Sequence, residues 1–316
     1  MKPFIHDRTD FKDLISALGA SLNILDELIE KDYWLMHALW GLRELNLAYE
    51  LKGGTSLFKG WGCINRFSED IDILIKTDGI DEVPKGKNQT KAPQVEKRKK
   101  YFESIFEKIK IPGFTSAARD PNFDDEHFRN IGIRLYYPKL YGSIEGLKDG
   151  ILLEIGFDQT TPNYEKLISS WVLDKAAETE IMKDIKDNRI NKVKCYAPEY
   201  TFVEKLQAIS TKFRQQQEKQ DMPSNFLRHY YDVSQLLKLE RVQNFIGTEA
   251  YIAHKKKRFK EKDEQDLTKN EAFIISDSDV RQKYNKAFLI SKDLYYKGQP
   301  SFDGFLTDIK PWLEKL

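Results

Sequence analysis

Two aspartates, Asp70 and Asp72, lie in the run Asp70-Ile71-Asp72-Ile73-Leu74-Ile75. The run predicts a β-strand, in which alternate side chains share a face. Ile71, Ile73 and Ile75 then fill a core, and both carboxylates project from the other side. Neighbouring carboxylates repel one another, the more so when buried. A divalent cation removes that conflict. Magnesium suits the place, because it takes few carboxylates and completes its shell with phosphate oxygens and water. A third acid comes from Ile151-Leu152-Leu153-Glu154-Ile155-Gly156-Phe157, whose odd-numbered positions are bulky and apolar while Glu154 faces the other way. If the two strands pair, Asp70, Asp72 and Glu154 become ligands for one or two magnesium ions. One ion would activate an attacking oxygen and the other would neutralise a triphosphate.

The other half of such a site is a phosphate cradle, and Leu51-Lys52-Gly53-Gly54-Thr55-Ser56 has the residue types for it. Gly53-Gly54 lets the backbone turn tightly and approach a phosphate closely. Thr55 or Ser56 can cap the helix start that follows, whose free N–H groups attract anions. Ser56 adds a hydroxyl donor, and Lys59 and Arg66 are candidate phosphate partners. Taken singly, each motif also has a plain structural reading: a turn and cap, a solvated strand face, an ordinary strand residue. Their order along the chain is what favours a catalytic reading.

That order resembles the polymerase-β-like nucleotidyltransferases, in which Gly-Ser precedes Asp-x-Asp/Glu. It resembles one branch more closely, the AbiEii family. Five motifs carry the resemblance, in order from about Glu30 to Leu237. They are Glu30-Lys31-Asp32-Tyr33-Trp34, Gly53-Gly54-Thr55-Ser56-Leu57-x-Lys59-Gly60, Arg66-Phe67-Ser68-x-Asp70-Ile71-Asp72, Glu204-Lys205-Leu206-x-Ala208 and Arg228-x-x-Tyr231-Asp232. The family comprises toxins of type IV toxin–antitoxin and phage-defence (abortive infection) systems. The resemblance implies that Gly54 and Ser56 meet the nucleotide phosphates and that Asp70 and Asp72 bind metal; Thr55, between the first two, is a further nucleotide-binding candidate. It implies that Lys205 binds the triphosphate and that Asp232 assists catalysis or orients that lysine. The implied acceptor is RNA, with the tRNA 3′ end the leading candidate, and the implied partner is a separately encoded antitoxin. The same fold acting on a protein or a small molecule is the alternative, as is a regulatory protein that holds nucleotide without transferring it. The Lys-rich insert Lys85–Lys100 has no counterpart in the family pattern.

The elements that must position these residues can be traced from patterning. A helical stripe runs through Leu14, Leu18, Leu22 and Leu25 and continues at Leu28 and Ile29, and Glu30–Leu39 reads as a second helix. Trp34, Tyr33 and Trp40 are expected in the core, with Glu30-Lys31-Asp32 bracing the glycine turn from behind. Strands are expected at Tyr49–Lys52, Phe67–Ile75, Ile131–Tyr137 and Ile151–Phe157, and a short extended piece at Val193–Tyr196. Lys76–Lys100, with Gly79, Pro84, Gly86 and Pro93, reads as a mobile loop leading into a helix from Tyr101. Downstream, Thr201-Phe202-Val203-Glu204 fits a capping box, with Phe202, Leu206, Ile209 and Phe213 as one stripe. Lys205 sits at the edge of that stripe, where a lysine also commonly reaches to solvent. Asp232 borders the buried face of a second helix near Leu227–Leu239. Ser68 is a further nucleotide-contacting candidate, or else a target for regulatory phosphorylation, which would set negative charge beside the carboxylates. His37 and His229 read as packing residues. The run Lys255–Arg258 reads as a solvated face or a contact for RNA phosphates.

These patterns give an α/β (α+β) class: a nucleotidyltransferase core with mixed sheet and flanking helices over residues 1–164, and a mainly helical half over 165–316 that closes the nucleotide cleft. The 316 residues, 40% apolar and 32% charged, suit a globular protein. The formal net charge of +1 argues against a general nucleic-acid coat. Cys63 and Cys195 are the only cysteines and form no CxxC, which leaves no zinc site or disulfide framework to expect. No apolar run approaches the ~20 residues of a membrane span, and the first residues lack a secretion signal's apolar core. The expectation is a cytoplasmic protein with no membrane contact.

Overall fold

The computed structural model describes residues 2–77, 83–86, 88–144, 146–158, 160–219, 226–298 and 300–316. The chain divides into two compact units, one of residues 1–61 and 67–196, the other of residues 62–66 and 197–316.

The first unit is built on a seven-stranded mixed sheet. Its strands are β1 (Tyr49–Lys52), β2 (Asp70–Ile75), β3 (Ser116–Arg119), β4 (Asn130–Tyr136), β5 (Ile151–Gly156), β6 (Asn163–Ile168) and β7 (Ile190–Tyr196). They run in the order β3-β4-β5-β2-β1-β7-β6. The pairs β2–β5 and β1–β7 are parallel and the rest antiparallel. Ile71, Ile73, Ile131, Ile133, Leu153 and Ile155 are all shut from water, as the alternation requires. The expected boundary near residue 164 falls inside this sheet: β6 and β7 pair with each other and β7 pairs with β1, so the compact unit runs on to Tyr196. The edge strands β3 and β6 carry no run of bulky residues, and patterning misses both.

Helices α1 (Phe11–Leu22) and α2 (Asp26–Glu44) replace the expected continuous stripe. Asn23 takes the left-handed conformation and ends α1 with its N–H on the Gly19 carbonyl. Leu22 and Leu25, at 43% exposure each, therefore face solvent, and Phe11, Ile15 and Leu18 make the buried stripe instead. Every residue of α2 from Leu28 to Leu42 is buried, so it is the central helix of the unit, enclosed on all sides. Tyr33, Trp34 and Trp40 are in the core as expected.

Gly53–Thr55 forms one helical turn, α3, which widens into a π-turn over Ser56–Gly60. Helix α4 spans Ala92–Lys108, so the expected loop ends nine residues before Tyr101. Part of that loop, including Gly79 and Lys87, lies outside the described residues. Its described part is pinned: the buried Arg98 guanidinium donates to the carbonyls of Pro84, Gln89 and His127. Helix α5 (Trp171–Ala177) packs on α1 and α2.

The second unit is helical: α6 (Pro198–Lys219), α7 (Arg228–Leu236), α8 (Glu240–Phe245), α9 (Glu249–Arg258), α10 (Glu271–Ile274), α11 (Ser278–Leu289) and α12 (Phe302–Ile309). Helix α6 packs against α7, α8, α9 and α10, and α12 packs on α7 and α11. The expected capping box does not form, because α6 starts at Pro198, where a proline costs no hydrogen bond. Thr201 lies inside the helix and donates back to Ala197 O, while Glu204 pairs with Arg258. Among the described residues no helix is long and apolar enough to cross a membrane.

Candidate active site

Parallel pairing of β2 and β5 sets Asp70 beside Leu152 and Asp72 directly beside Glu154. Register partners in adjacent strands point to the same side of a sheet. Asp70, Asp72 and Glu154 therefore share one face, as their strand positions predict. The central place of both strands follows from their buried isoleucines, and this fixes the acids' spacing. Their surroundings differ. Asp70 is 4% exposed. Both of its oxygens accept from the Lys148 ammonium, at 3.2 and 3.1 Å. Asp72 is half-buried, and its carboxylate lies against Gly53.

Gly53 is one position where glycine is required. Its φ is +65°, and a Cβ there would land well inside van der Waals contact of Asp72 Oδ2. The turn is thus shaped around the second aspartate. Thr55 donates its hydroxyl to the Asp70 carbonyl and ties the turn to the start of β2. Ser56, fully buried, turns its hydroxyl toward Tyr196 O at 3.4 Å rather than outward. Trp61 Nε1 donates to the same carbonyl at 2.9 Å. Behind them Cys195 is buried, its thiol pushed up to about 12 by desolvation, so it is inert.

Of the charged trio of α2, Asp32 reaches the segment that follows the turn, while Lys31 and Glu30 bond elsewhere. Asp32 Oδ1 pairs with Lys59 Nζ at 2.6 Å, and Asp32 Oδ2 accepts from the Trp171 N–H at 2.8 Å. Burial raises the Asp32 pKa against the pull of Lys59. Lys59, expected to meet phosphate, thus spends its charge on Asp32 and stacks its ammonium 4.7 Å from the Trp171 ring centroid. Lys31 pairs with Glu69 at 3.3 Å. Glu30 accepts the Leu140 N–H at 2.7 Å. His37 is held by Pro112 O and Asn188, and burial pushes its pKa down to about 4, so it packs as a neutral ring. Ser68 precedes β2 rather than lying in it and is 4% exposed. A modifying enzyme would need that segment to open first.

In the second unit one buried acid is shared by two cations. Arg66 bonds Asp232 through Nε at 2.6 Å and through a terminal nitrogen at 2.7 Å. Lys205 Nζ approaches Asp232 Oδ2 at 3.1 Å. Asp232 is fully buried, and desolvation works against its charge, yet Arg66 and Lys205 outweigh it and hold its pKa below the carboxylate range. Arg66, expected to serve phosphate, is committed to this bidentate pair. Lys205 is bound to Asp232 as the motif order implied. His229, one turn from Asp232, is buried with neither ring nitrogen hydrogen-bonded among the described residues. Burial, then the charges of Lys205, Lys212, Arg228 and Arg66, keeps it neutral. In the run Lys255–Arg258, Lys255 and Arg258 are engaged inside the unit, while Lys256 and Lys257 face solvent.

Sequence patterning missed Lys148 and Glu69. Lys148 lies in a glycine-rich connection with no periodicity to mark it, and Glu69 is the unspecified position beside Asp70. Among the described residues no group of three or more His, Cys, Asp or Glu side chains is arranged as a finished metal cage. The donor set nonetheless fits magnesium: all-oxygen ligands, two carboxylates on one face, and an ammonium at Asp70 that marks a place for positive charge. Magnesium is usually bound by one or two carboxylates plus phosphates rather than by an all-protein cage. The family model described as "Nucleotidyl transferase AbiEii toxin, Type IV TA system" matches residues 35–308. No curated protein matches the chain at a significant level.

Proposed function

The chain belongs to the AbiEii family of nucleotidyl transferase toxins of type IV toxin–antitoxin systems, and from that membership we propose that it transfers a nucleoside monophosphate from an NTP to the 3′ end of tRNA. The observation that carries the proposal is the β2–β5 register, which puts Glu154 beside Asp72 and on the face of Asp70. Carboxylates gathered in this way cost stability unless a cation meets them.

Asp70 and Asp72 are the residues to hold magnesium, with Glu154 beside them. When bound, the ion would neutralise the triphosphate and sharpen the acceptor hydroxyl as a nucleophile. The Gly53-Gly54 turn lets a phosphate approach the backbone without a side chain in the way. Lys205, oriented by Asp232, offsets the negative charge that grows on the leaving pyrophosphate. Ser56, Lys59 and Arg66 serve from behind, through Tyr196 O, Asp32 and Asp232 respectively. The acceptor oxygen forms a bond to the α-phosphorus, the α–β bridging bond breaks, and the acceptor's proton goes to water. A tRNA with a blocked 3′ end cannot be charged, so growth stops until a separately encoded antitoxin intervenes. The action belongs in the cytoplasm, where tRNA is.

The test incubates the protein with each α-labelled NTP and with total tRNA, protein and small-molecule acceptors in separate reactions. Label at tRNA 3′ ends, dependent on added magnesium, is the expected result. Label only in protein or small molecules, or none with any NTP, overturns the acceptor or the transfer itself.

A further inference from the structure

Lys148 lies in the connection before β5, and its backbone is held from both sides. Its N–H donates to Glu69 Oε2 at 2.8 Å, and its carbonyl accepts from the Lys31 ammonium. Lys31 and Glu69 are themselves a pair shut from water. The stem is therefore fixed at its root, while the side chain keeps 28% of its surface exposed and its ammonium touches both oxygens of Asp70. The Phe123 ring, 5.2 Å from Nζ, gives that ammonium an aromatic face as well.

A bridge whose only purpose was to join a loop to a strand would not need its root anchored by a buried ion pair. Nor would it engage the carboxylate best placed to take a metal. Lysine, unlike arginine, is a compact charge on a flexible four-carbon stem, and it can change partners without moving the backbone. We propose that Lys148 occupies the cation's place at Asp70 in the metal-free protein and passes to the nucleotide's phosphate oxygens when the cation arrives. The inference rests on the reading of Asp70 and Asp72 as a metal-binding edge. In the free protein the ammonium relieves the repulsion among the strand carboxylates. A divalent cation must displace it, and the displaced charge is stabilised only when a polyphosphate is present to receive it. Metal and nucleotide are thereby coupled: each binds better with the other there.

The test uses the full chain, with Mn2+ followed by electron paramagnetic resonance and inorganic tripolyphosphate as the anion. Lys148→Met is expected to bind Mn2+ alone about tenfold more tightly than the wild type, and to bind tripolyphosphate at saturating Mn2+ about tenfold more weakly. A structural bridge would leave both affinities unchanged or weaken both together. Any pattern other than opposite shifts overturns the proposal. Thermal unfolding checks the fold, and Lys148→Gln is read in the same way where the methionine variant does not fold. A wild type that binds no Mn2+, with or without tripolyphosphate, removes the metal-binding edge as well. That result is distinct from a wild type that binds and a variant that matches it.

Discussion

The β2–β5 edge and the Asp232 cluster are electrostatic opposites. At the edge, Asp70, Asp72 and Glu154 share a face, and Lys148 is the ammonium seen on Asp70. In the cluster, Arg66 and Lys205 share Asp232, and Lys212 and Arg228 add further positive charge around His229. The first region gathers acids and calls for a cation. The second gathers cations and calls for an anion. The difference separates a fully buried acid held by two cations, Asp232, from a half-buried one, Asp72. Asp232 is an acid that its buried partners cannot do without, whereas Asp72 is one that the fold would tolerate losing.

The largest expected effect comes from Asp72→Asn. Transfer of label should fall by about three orders of magnitude or more, while the midpoint of unfolding stays level or rises, because a like-charge repulsion is gone. A clear loss of stability in that variant would break the contrast. Asp232→Asn should do the reverse at the level of the fold. It removes the buried counter-charge that Arg66 and Lys205 share and should cost roughly 3–5 kcal/mol in denaturant unfolding.

The same pair can be separated by pH. The Asp232 pKa is lowered on folding, so its stabilisation is fully present above the ordinary carboxylate value and is lost as pH falls through the folded one. The wild type should therefore lose stability on acidification more steeply than Asp232→Asn, as unfolding curves from neutral to acid pH would record. Gly53→Ala should cost about 2 kcal/mol, from a strained left-handed backbone and a displaced Asp72 carboxylate. It should also weaken Mn2+ binding, and an unchanged affinity would detach the turn from the edge. The smallest effect is at His229. Replacing this buried ring by leucine should raise stability by about 1 kcal/mol, since it removes polar atoms that are desolvated without a hydrogen bond among the described residues.

Much of the edge was legible because it is local. A period of two in Asp70–Ile75 and in Ile151–Phe157 states which side chains face together, and the buried isoleucines force both strands into the middle of the sheet. The pairing of Lys205 with Asp232 was legible from the family resemblance. What failed was what local pattern cannot hold. The leucine stripe ran through Leu22 and Leu25 because their spacing is helical, but Asn23 ends the helix and turns both outward. Thr201 and Glu204 have capping-box spacing, yet the helix had already begun at Pro198. Edge strands β3 and β6 need few buried residues and left no signal. The carboxylate partners of Lys59 and Arg66 could not be read, because a lysine or arginine near a phosphate motif looks the same whether its partner is an anion or a carboxylate.

The sequence by itself determined the alternation that aligns the acids, the glycines that let the turn close over Asp72, and the order of motifs that marks the family. Tertiary structure decided who neutralises whom. Lys148 reaches Asp70 across 78 residues, and Arg66 reaches Asp232 across 166. Periodicity encodes which way a side chain faces within its own element. An ion pair depends on two elements meeting, and that is fixed only when the whole core packs.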